Sequence, residues 1–278
     1  MQGWSYGYGV EFVLLKTTIR TELIKAAFFD IDGTLLSFTT HAVSEGTVRA
    51  FDALHRKGIR TFISSGRPMV LIPEMPVSFD GYVTMNGGYC FVGDKVLLSN
   101  PIPQEETDRW LDYARDNHLC TMIFTEHEMF VNTLSDPVAI AIRNQLEFQM
   151  PPLLDINEMK GRTTYQIIAI MPAEADAKVL ELLPHCRLPR WHPGFSDLVN
   201  ATNSKASGIE CMIRHFGIAR EECIGFGDGG NDIEMLDYCG IGVAMGNAAD
   251  EVKRHADFVT TSVDEEGIEY ALKSLQII

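Results

Sequence analysis

The sequence predicts an α/β protein: a parallel sheet with helices on both faces, into which a second, α+β domain is inserted. Three observations predict it. Blocks near both ends of the chain alternate short buried strands with amphipathic helices, whereas the stretch between them sets strand patterns beside one another and is broken by proline-rich junctions. The acidic and glycine-rich clusters fall where predicted strands end, the edge at which open parallel sheets bind ligands.

In the first block, Lys25 to Ile31 is an apolar run ending in acids and a glycine, as a buried parallel strand does. From Ser44, placed as an N-cap, apolar residues recur at Val48, Phe51 and Leu54, and Gly58 stands where a C′ residue ends a helix. Ile59 to Ser64 is a second buried strand, completing a right-handed parallel crossover. In the last block, Ile209, Met212, Ile213 and Phe216 mark a helix closed by Gly217. Cys223 to Gly227 then reads as a strand, Asp232 to Tyr238 as a helix and Ile241 to Met245 as another strand. Between the blocks, Cys90 to Leu98, Thr121 to Phe124, Met129 to Thr133 and Tyr165 to Met171 read as strands. Helical patterns surround Trp110 to His118, Val138 to Phe148 and Ala173 to Leu183. Junctions at Pro101/Pro103, Pro151/Pro152 and Pro189/Pro193 punctuate this middle stretch. The chain thus divides into an N-terminal extension (1–21), a core in two parts (22–87 and 200–278) and an inserted cap (88–199).

The 278 residues carry 23 Lys+Arg against 38 Asp+Glu, a net charge of −15, and 46% are hydrophobic. That is ample material for a packed core. The acidity excludes nucleic acid and anionic membrane surfaces as partners, since both need a basic patch. No run of about eighteen apolar residues is present to span a membrane. Met1 to Arg20 holds an apolar patch from Val10 to Leu15, but Glu11 interrupts it and no cleavage site follows, so no signal peptide is read. The six cysteines form no Cys-x-x-Cys pair, which points to reduced thiols and a cytoplasmic protein. The expected partner is a small molecule, and the expected assembly a monomer or homodimer.

The sharpest chemical feature is Asp30-Ile31-Asp32-Gly33-Thr34-Leu35, where a buried strand meets a turn. A carboxylate beside a hard cation serves as a nucleophile toward phosphorus, and a second acid serves to protonate the departing oxygen and later deprotonate water. A calcium loop fits poorly, because its twelfth position, counted from Asp30, is His41 and not Glu. A dinucleotide fingerprint is formally present in Gly225, Gly227 and Gly230 with Asp250 beyond. It is rejected, because Asp228 at the point of close approach repels pyrophosphate and Asp30, Asp32 and Lys205 are left without a role. Taken singly, Ser64-Ser65-Gly66-Arg67 also reads as an ordinary turn, Lys205 as a solvated lysine and Gly227 to Asp232 as a glycine loop.

In order along the chain, these segments resemble the four motifs of the haloacid dehalogenase superfamily of aspartate-based phosphatases. The resemblance makes Asp30 the nucleophile and Asp32 the general acid and base. It places Ser65 and Gly66 on a phosphate oxygen and Lys205 against the nucleophile and phosphoryl charge. Mg²⁺ is expected on the Asp30 carboxylate, the Asp32 backbone carbonyl and Asp228, with Asp232 as an outer ligand. Asn231 is placed either on the substrate or at a helix cap.

The stretch between Asp32 and Ser64 is used up by the crossover, while that between Gly66 and Lys205 is far longer than a crossover needs. The cap therefore lies there. Its mixed texture, Asn86-Gly87-Gly88, Ala244-Met245-Gly246-Asn247-Ala248 and Glu266-Gly267 resemble the Cof-like type IIB group, with the one departure that the second motif begins with Ser65 where threonine is common. The resemblance implies a Mg²⁺-dependent phosphatase of small phosphate esters, sugar phosphates among them. Transfer to an alcohol acceptor and a phosphosugar-binding regulator are the alternatives. Arg143, Arg162, His127 and His192 are the candidate cap contacts.

Overall fold

Strand β1 (Ala26–Phe29) shows why the core carries helices on both faces. All four of its residues are buried and successive side chains point to opposite sides, so Ala27 and Phe29 enter one apolar cluster and Ala26 and Phe28 another. This description rests on a computed structural model and covers residues 23–146, 149–190 and 193–278. The extension read over 1–21 lies outside the described residues.

Helix α1 (Glu45–Arg56) begins where Ser44 Oγ accepts from the Thr47 amide at 3.1 Å, and stops ahead of Gly58, whose φ is +71°. Its Ala50, Phe51 and Leu54 pack on the Phe29 side of the sheet. The chain continues through β2 (Arg60–Ser64), β3 (Gly81–Thr84), β4 (Tyr89–Val92) and β5 (Lys95–Ser99). The inserted part comprises α2 (Gln104–Asp116), β6 (Thr121–Phe124), β7 (Met129–Val131), α3 (Pro137–Leu146), α4 (Ile156–Met159), β8 (Gln166–Ile170), α5 (Asp176–Leu182), β9 (Cys186–Arg187) and β10 (Phe195–Asn200). The core resumes with α6 (Lys205–Phe216), β11 (Cys223–Gly227), α7 (Ile233–Tyr238), β12 (Ile241–Ala244), α8 (Asp250–Lys253), β13 (Phe258–Val259) and α9 (Gly267–Ser274).

The core sheet has eight strands in the order β13-β12-β11-β1-β2-β3-β4-β5, and from β13 to β3 every pairing is parallel. Helices α1 and α9 cover one face, with α6 and α7 on the other. The inserted sheet is antiparallel, in the order β7-β6-β8-β10-β9. One of its faces packs on α2 and α5 through Trp110, Leu111, Val179, Ile123, Ile167 and Leu198. The other carries Phe124, Ile168 and Phe195 and meets Met85 and Tyr89 from the core.

The structure corrects one reading. Cys90 to Leu98 is not a single cap strand but the hairpin β4–β5, turning at Gly93 (φ +54°), and it extends the core sheet antiparallel to β3. The cause is packing: Cys90 shares a cluster with Phe62, Val83 and Met212, and Val92, Leu97 and Leu98 close against it. The cap's own sheet begins after Asn100, whose Nδ2 holds Asn203 Oδ1 at 2.6 Å where the chain returns to the core.

Candidate active site

Phe29 of β1 pairs with Phe226 of β11 and with Ile63 of β2, all in parallel. This register brings Asp30, Ser65 and Asp228 out at one edge of the sheet. Gly33 makes the first turn possible: its φ is +78°, and a Cβ there would sit 2.2 Å from Asp228 Oδ2.

Lys205 reaches the same edge from the first turn of α6, where Ser204 and Ser207 form a capping box. Its ammonium is fully buried and bridges Asp30 Oδ1 and Asp232 Oδ1, each at 2.5 Å. Burial works against the charged amine, but Asp232 and Asp30 outweigh it and raise the Lys205 pKa. Asp232 uses its other oxygen to accept from the amides of Asp228 and Gly229 at 3.0 and 2.9 Å. These N–H groups are the ones a pyrophosphate would need, so the dinucleotide fingerprint has no free cradle here.

Asp30, Asp228 and Asp232 place ligand oxygens within 4.8 Å of one another. Burial pushes the Asp30 carboxyl up to about 7, opposed by Lys205 and reinforced by Asp232 and Asp32. Asp228 is pushed up to about 8, by burial first and then by Asp30 and Asp232. Its Oδ1 accepts from Thr34 Oγ1 and its Oδ2 from Asn247 Nδ2, both at 3.1 Å. Three acids with one ammonium between them leave excess negative charge in a buried place, and an all-oxygen set of this kind fits a hard divalent cation. The Asp32 carboxylate does not join this cluster. It faces Arg67, which grips both of its oxygens.

Above the acids lies a cavity of about 380 Å³. Asp30, Asp32, Asp228, Ser65, Gly66 and Asn231 all line it. Ser65 is buried, and its Oγ accepts from the Arg67 amide at 3.1 Å. Asn231 turns its Nδ2 to Asn86 Oδ1 at 3.1 Å.

The cap side of the cavity differs from expectation. It is formed by Phe124, Gln166, Ile168 and Asp197. Arg143 bonds to its neighbour Asn144, Arg162 stacks over Phe130 at 4.5 Å, and His127 pairs with Glu126 at 3.3 Å; none of the three lines the cavity. His192 lies outside the described residues. Gln166 carried a legible signal as the one amide in the apolar run Tyr165 to Met171, and Arg67 stood next to a predicted phosphate-binding pair. Asp197 sits on β10, a strand the pattern did not reveal.

The profile of the haloacid dehalogenase-like hydrolases matches residues 27–272. Among solved structures, BT4131, a sugar phosphatase of HAD subclass IIB, is 40% identical with a TM-score of 0.86, covering 91% of this chain and all of its own. BT1666 of Bacteroides thetaiotaomicron, a phosphatase of the same superfamily, is 37% identical with a TM-score of 0.85, covering 95% of this chain and 99% of its own. YkrA of Bacillus subtilis (strain 168) is 32% identical over 256 residues, which span 91% of this chain and 98% of that one. Matched from strand β1 to helix α9, the chain belongs to the haloacid dehalogenase-like hydrolase family.

Proposed function

We propose that the protein is a Mg²⁺-dependent phosphatase of small phosphorylated metabolites, sugar phosphates foremost, working through a phosphoryl-Asp30 intermediate in the cytoplasm. One observation carries the reading. At the floor of the cavity, Lys205 holds one oxygen of Asp30, while Asp32 lines the same cavity with its carboxylate clamped by Arg67.

Asp30 gives Oδ1 to Lys205, which leaves Oδ2 to attack phosphorus. As the new bond forms, the bond from phosphorus to the leaving alcohol breaks, and Asp32 passes its proton to that oxygen. Asp32 then takes a proton from water, which attacks the phosphoryl group, releases inorganic phosphate and restores the Asp30 carboxylate. Ser65, the Gly66 amide and Asn231 hold phosphate oxygens, and Lys205 offsets their charge. Asp30, Asp228 and the Asp32 carbonyl, with Asp232 behind them, would hold Mg²⁺, which would supply further neutralisation of the phosphoryl charge. The six free cysteines suit a reducing compartment.

Phosphate release from p-nitrophenyl phosphate and a panel of phosphorylated metabolites tests this. Turnover is expected with Mg²⁺, and its loss with EDTA. Asp30→Asn is expected to lose at least about 10⁴-fold in rate. A folded Asp30→Asn protein of undiminished activity would overturn the mechanism.

A further inference from the structure

Three successive residues, Met85, Asn86 and Gly87, hold left-handed backbone at φ +50°, +52° and +88°. Two of them carry side chains for which that region is costly, so the surrounding contacts must hold the turn in place. They do so at three points. The Met85 amide donates to the Arg67 carbonyl at 3.2 Å, and the Asn86 amide to the Ser65 carbonyl at 3.1 Å. Gly87 packs against the start of α6, where a Cβ on it would stand 2.0 Å from the Ser204 carbonyl oxygen. The turn is thus wedged between the loop that carries Ser65 and the helix that carries Lys205.

What the turn delivers is the Asn86 side chain, which is only 1% exposed. Its amide lies over Gly66, with Oδ1 and Nδ2 each 3.3 Å from where a Cβ on that glycine would stand, and Asn231 Nδ2 is 3.5 Å from the same point. Every polar atom of this side chain has a partner. Nδ2 donates to Gln166 Oε1 at 3.2 Å and to Asp197 Oδ2 at 3.4 Å, both on the cap sheet, and Oδ1 accepts from Asn231 Nδ2 at 3.1 Å.

Bond polarity runs in one direction along this chain of groups. An amide has a donor end and an acceptor end of nearly the same shape, so its neighbours decide which way it faces. The cap offers oxygens, and Asn86 turns its nitrogen to them and its oxygen to Asn231. Asn231 presents its nitrogen in return. An amide nitrogen carries two hydrogens, of which Asn86 takes one. Asn231 lines the cavity above Asp30, and a phosphate oxygen there needs a donor.

We propose, resting on the phosphatase reading above, that Asn86 is a positioning residue for Asn231. Braced on the Ser65 loop and polarised by the oxygens of Gln166 and Asp197, it fixes the Asn231 amide with its second N–H toward the phosphate. Asn86 stands behind the cavity wall and acts through Asn231. Because its two acceptors belong to the cap, the grip on phosphate is set when the cap is docked.

The test measures kcat/KM for p-nitrophenyl phosphate and the inhibition constant of inorganic phosphate, with thermal melting of each protein. The proteins are wild type, Asn86→Gly, Asn86→Asp, Asn231→Ala and the double variant Asn86→Gly with Asn231→Ala. Glycine keeps the left-handed backbone and removes the amide. Aspartate tolerates the same backbone and still accepts from Asn231, but sets an oxygen against those of Gln166 and Asp197. Each single variant is expected to lower kcat/KM by about tenfold and to raise the inhibition constant of phosphate severalfold. In the Asn86→Gly background, Asn231→Ala is expected to cost no more than about twofold further, because the two residues act as a unit. Additive losses, or wild-type kcat/KM and phosphate inhibition in either folded Asn86 variant, overturn the assignment while the phosphatase reading stands. So does failure of both Asn86 variants to fold, which would make the turn structural. A wild type that releases phosphate from neither p-nitrophenyl phosphate nor the metabolite panel overturns both.

Discussion

Arg67 holds Asp32 with two parallel bonds, Nε to Oδ2 at 2.8 Å and Nη2 to Oδ1 at 2.7 Å. Such a fork fixes the plane of a carboxylate as well as its place. In the proposed reaction Asp32 gives a proton to one oxygen and takes one from another, so its direction matters as much as its presence. Arg67→Lys keeps the charge but has no fork. Its kcat is expected to fall roughly ten- to a hundredfold, with KM changing less. Steady-state kinetics alongside thermal melting check this, and an unchanged kcat in a folded variant would show the clamp to be dispensable.

Lys205 is the buried counter-charge for two carboxylates. Lys205→Met keeps most of its length and removes the charge, stranding Asp30 and Asp232 in a dry site. Breaking a buried ion pair from one side costs about 3–5 kcal/mol. A loss of that order is expected in urea unfolding with chelator present, and added divalent cation is expected to restore part of it by supplying positive charge to the same acids. Equal stability of variant and wild type in EDTA would contradict the role.

What the sequence made legible follows from where each residue stands. Asp30, Ser65 and Asp228 leave the ends of short apolar runs beside glycine, and Lys205 follows a capping serine, so local pattern alone places them at one sheet edge. Other features depend on tertiary packing. Nothing near Cys90 says whether its hairpin will join the core sheet or the cap, because that is decided by Phe62, Val83 and Met212 packing against it. Arg143, Arg162 and His127 were candidates by charge, yet long charged side chains rest at lower free energy in water than in a cavity wall. Of the groups that do face the cavity, Gln166 is the one polar residue of buried β8, and Asp197 stands beside Ser196 in the largely buried β10.

The acid cluster makes stability depend on pH in a definite direction. Asp30 is raised from 3.8 to about 7 and Asp228 from 3.8 to about 8, in both cases chiefly by burial. Between the unfolded and folded values the native protein keeps protons that the unfolded chain has released. Stability from these groups is therefore greatest below about pH 4 and is lost as pH rises toward 8. Glu269, held down to about 2 by Arg49 and Lys273, works in the opposite sense but at lower pH. In EDTA the melting temperature is expected to fall by several degrees from about pH 5 to 8, and saturating Mg²⁺ is expected to flatten or reverse that slope. Melting curves across this range decide it; a slope that ignores the cation would mean the cluster does not bind one.

Thr34 offers the cleanest way to disturb the cation site without touching a ligand. It is fully buried, and its hydroxyl donates to Asp228 Oδ1 at 3.1 Å while Asn247 holds Oδ2. Thr34→Val replaces the hydroxyl with a methyl of similar size, so packing survives and one of the two bonds that orient Asp228 is lost. Outer bonds of this kind are worth about 10- to 100-fold in metal affinity. The Mg²⁺ concentration for half-maximal phosphate release is expected to rise by about tenfold, while kcat at saturating Mg²⁺ stays within about threefold of wild type. A Mg²⁺ titration of both proteins separates the two quantities. If kcat falls and the Mg²⁺ midpoint does not move, Thr34 acts on the reacting groups and not through Asp228.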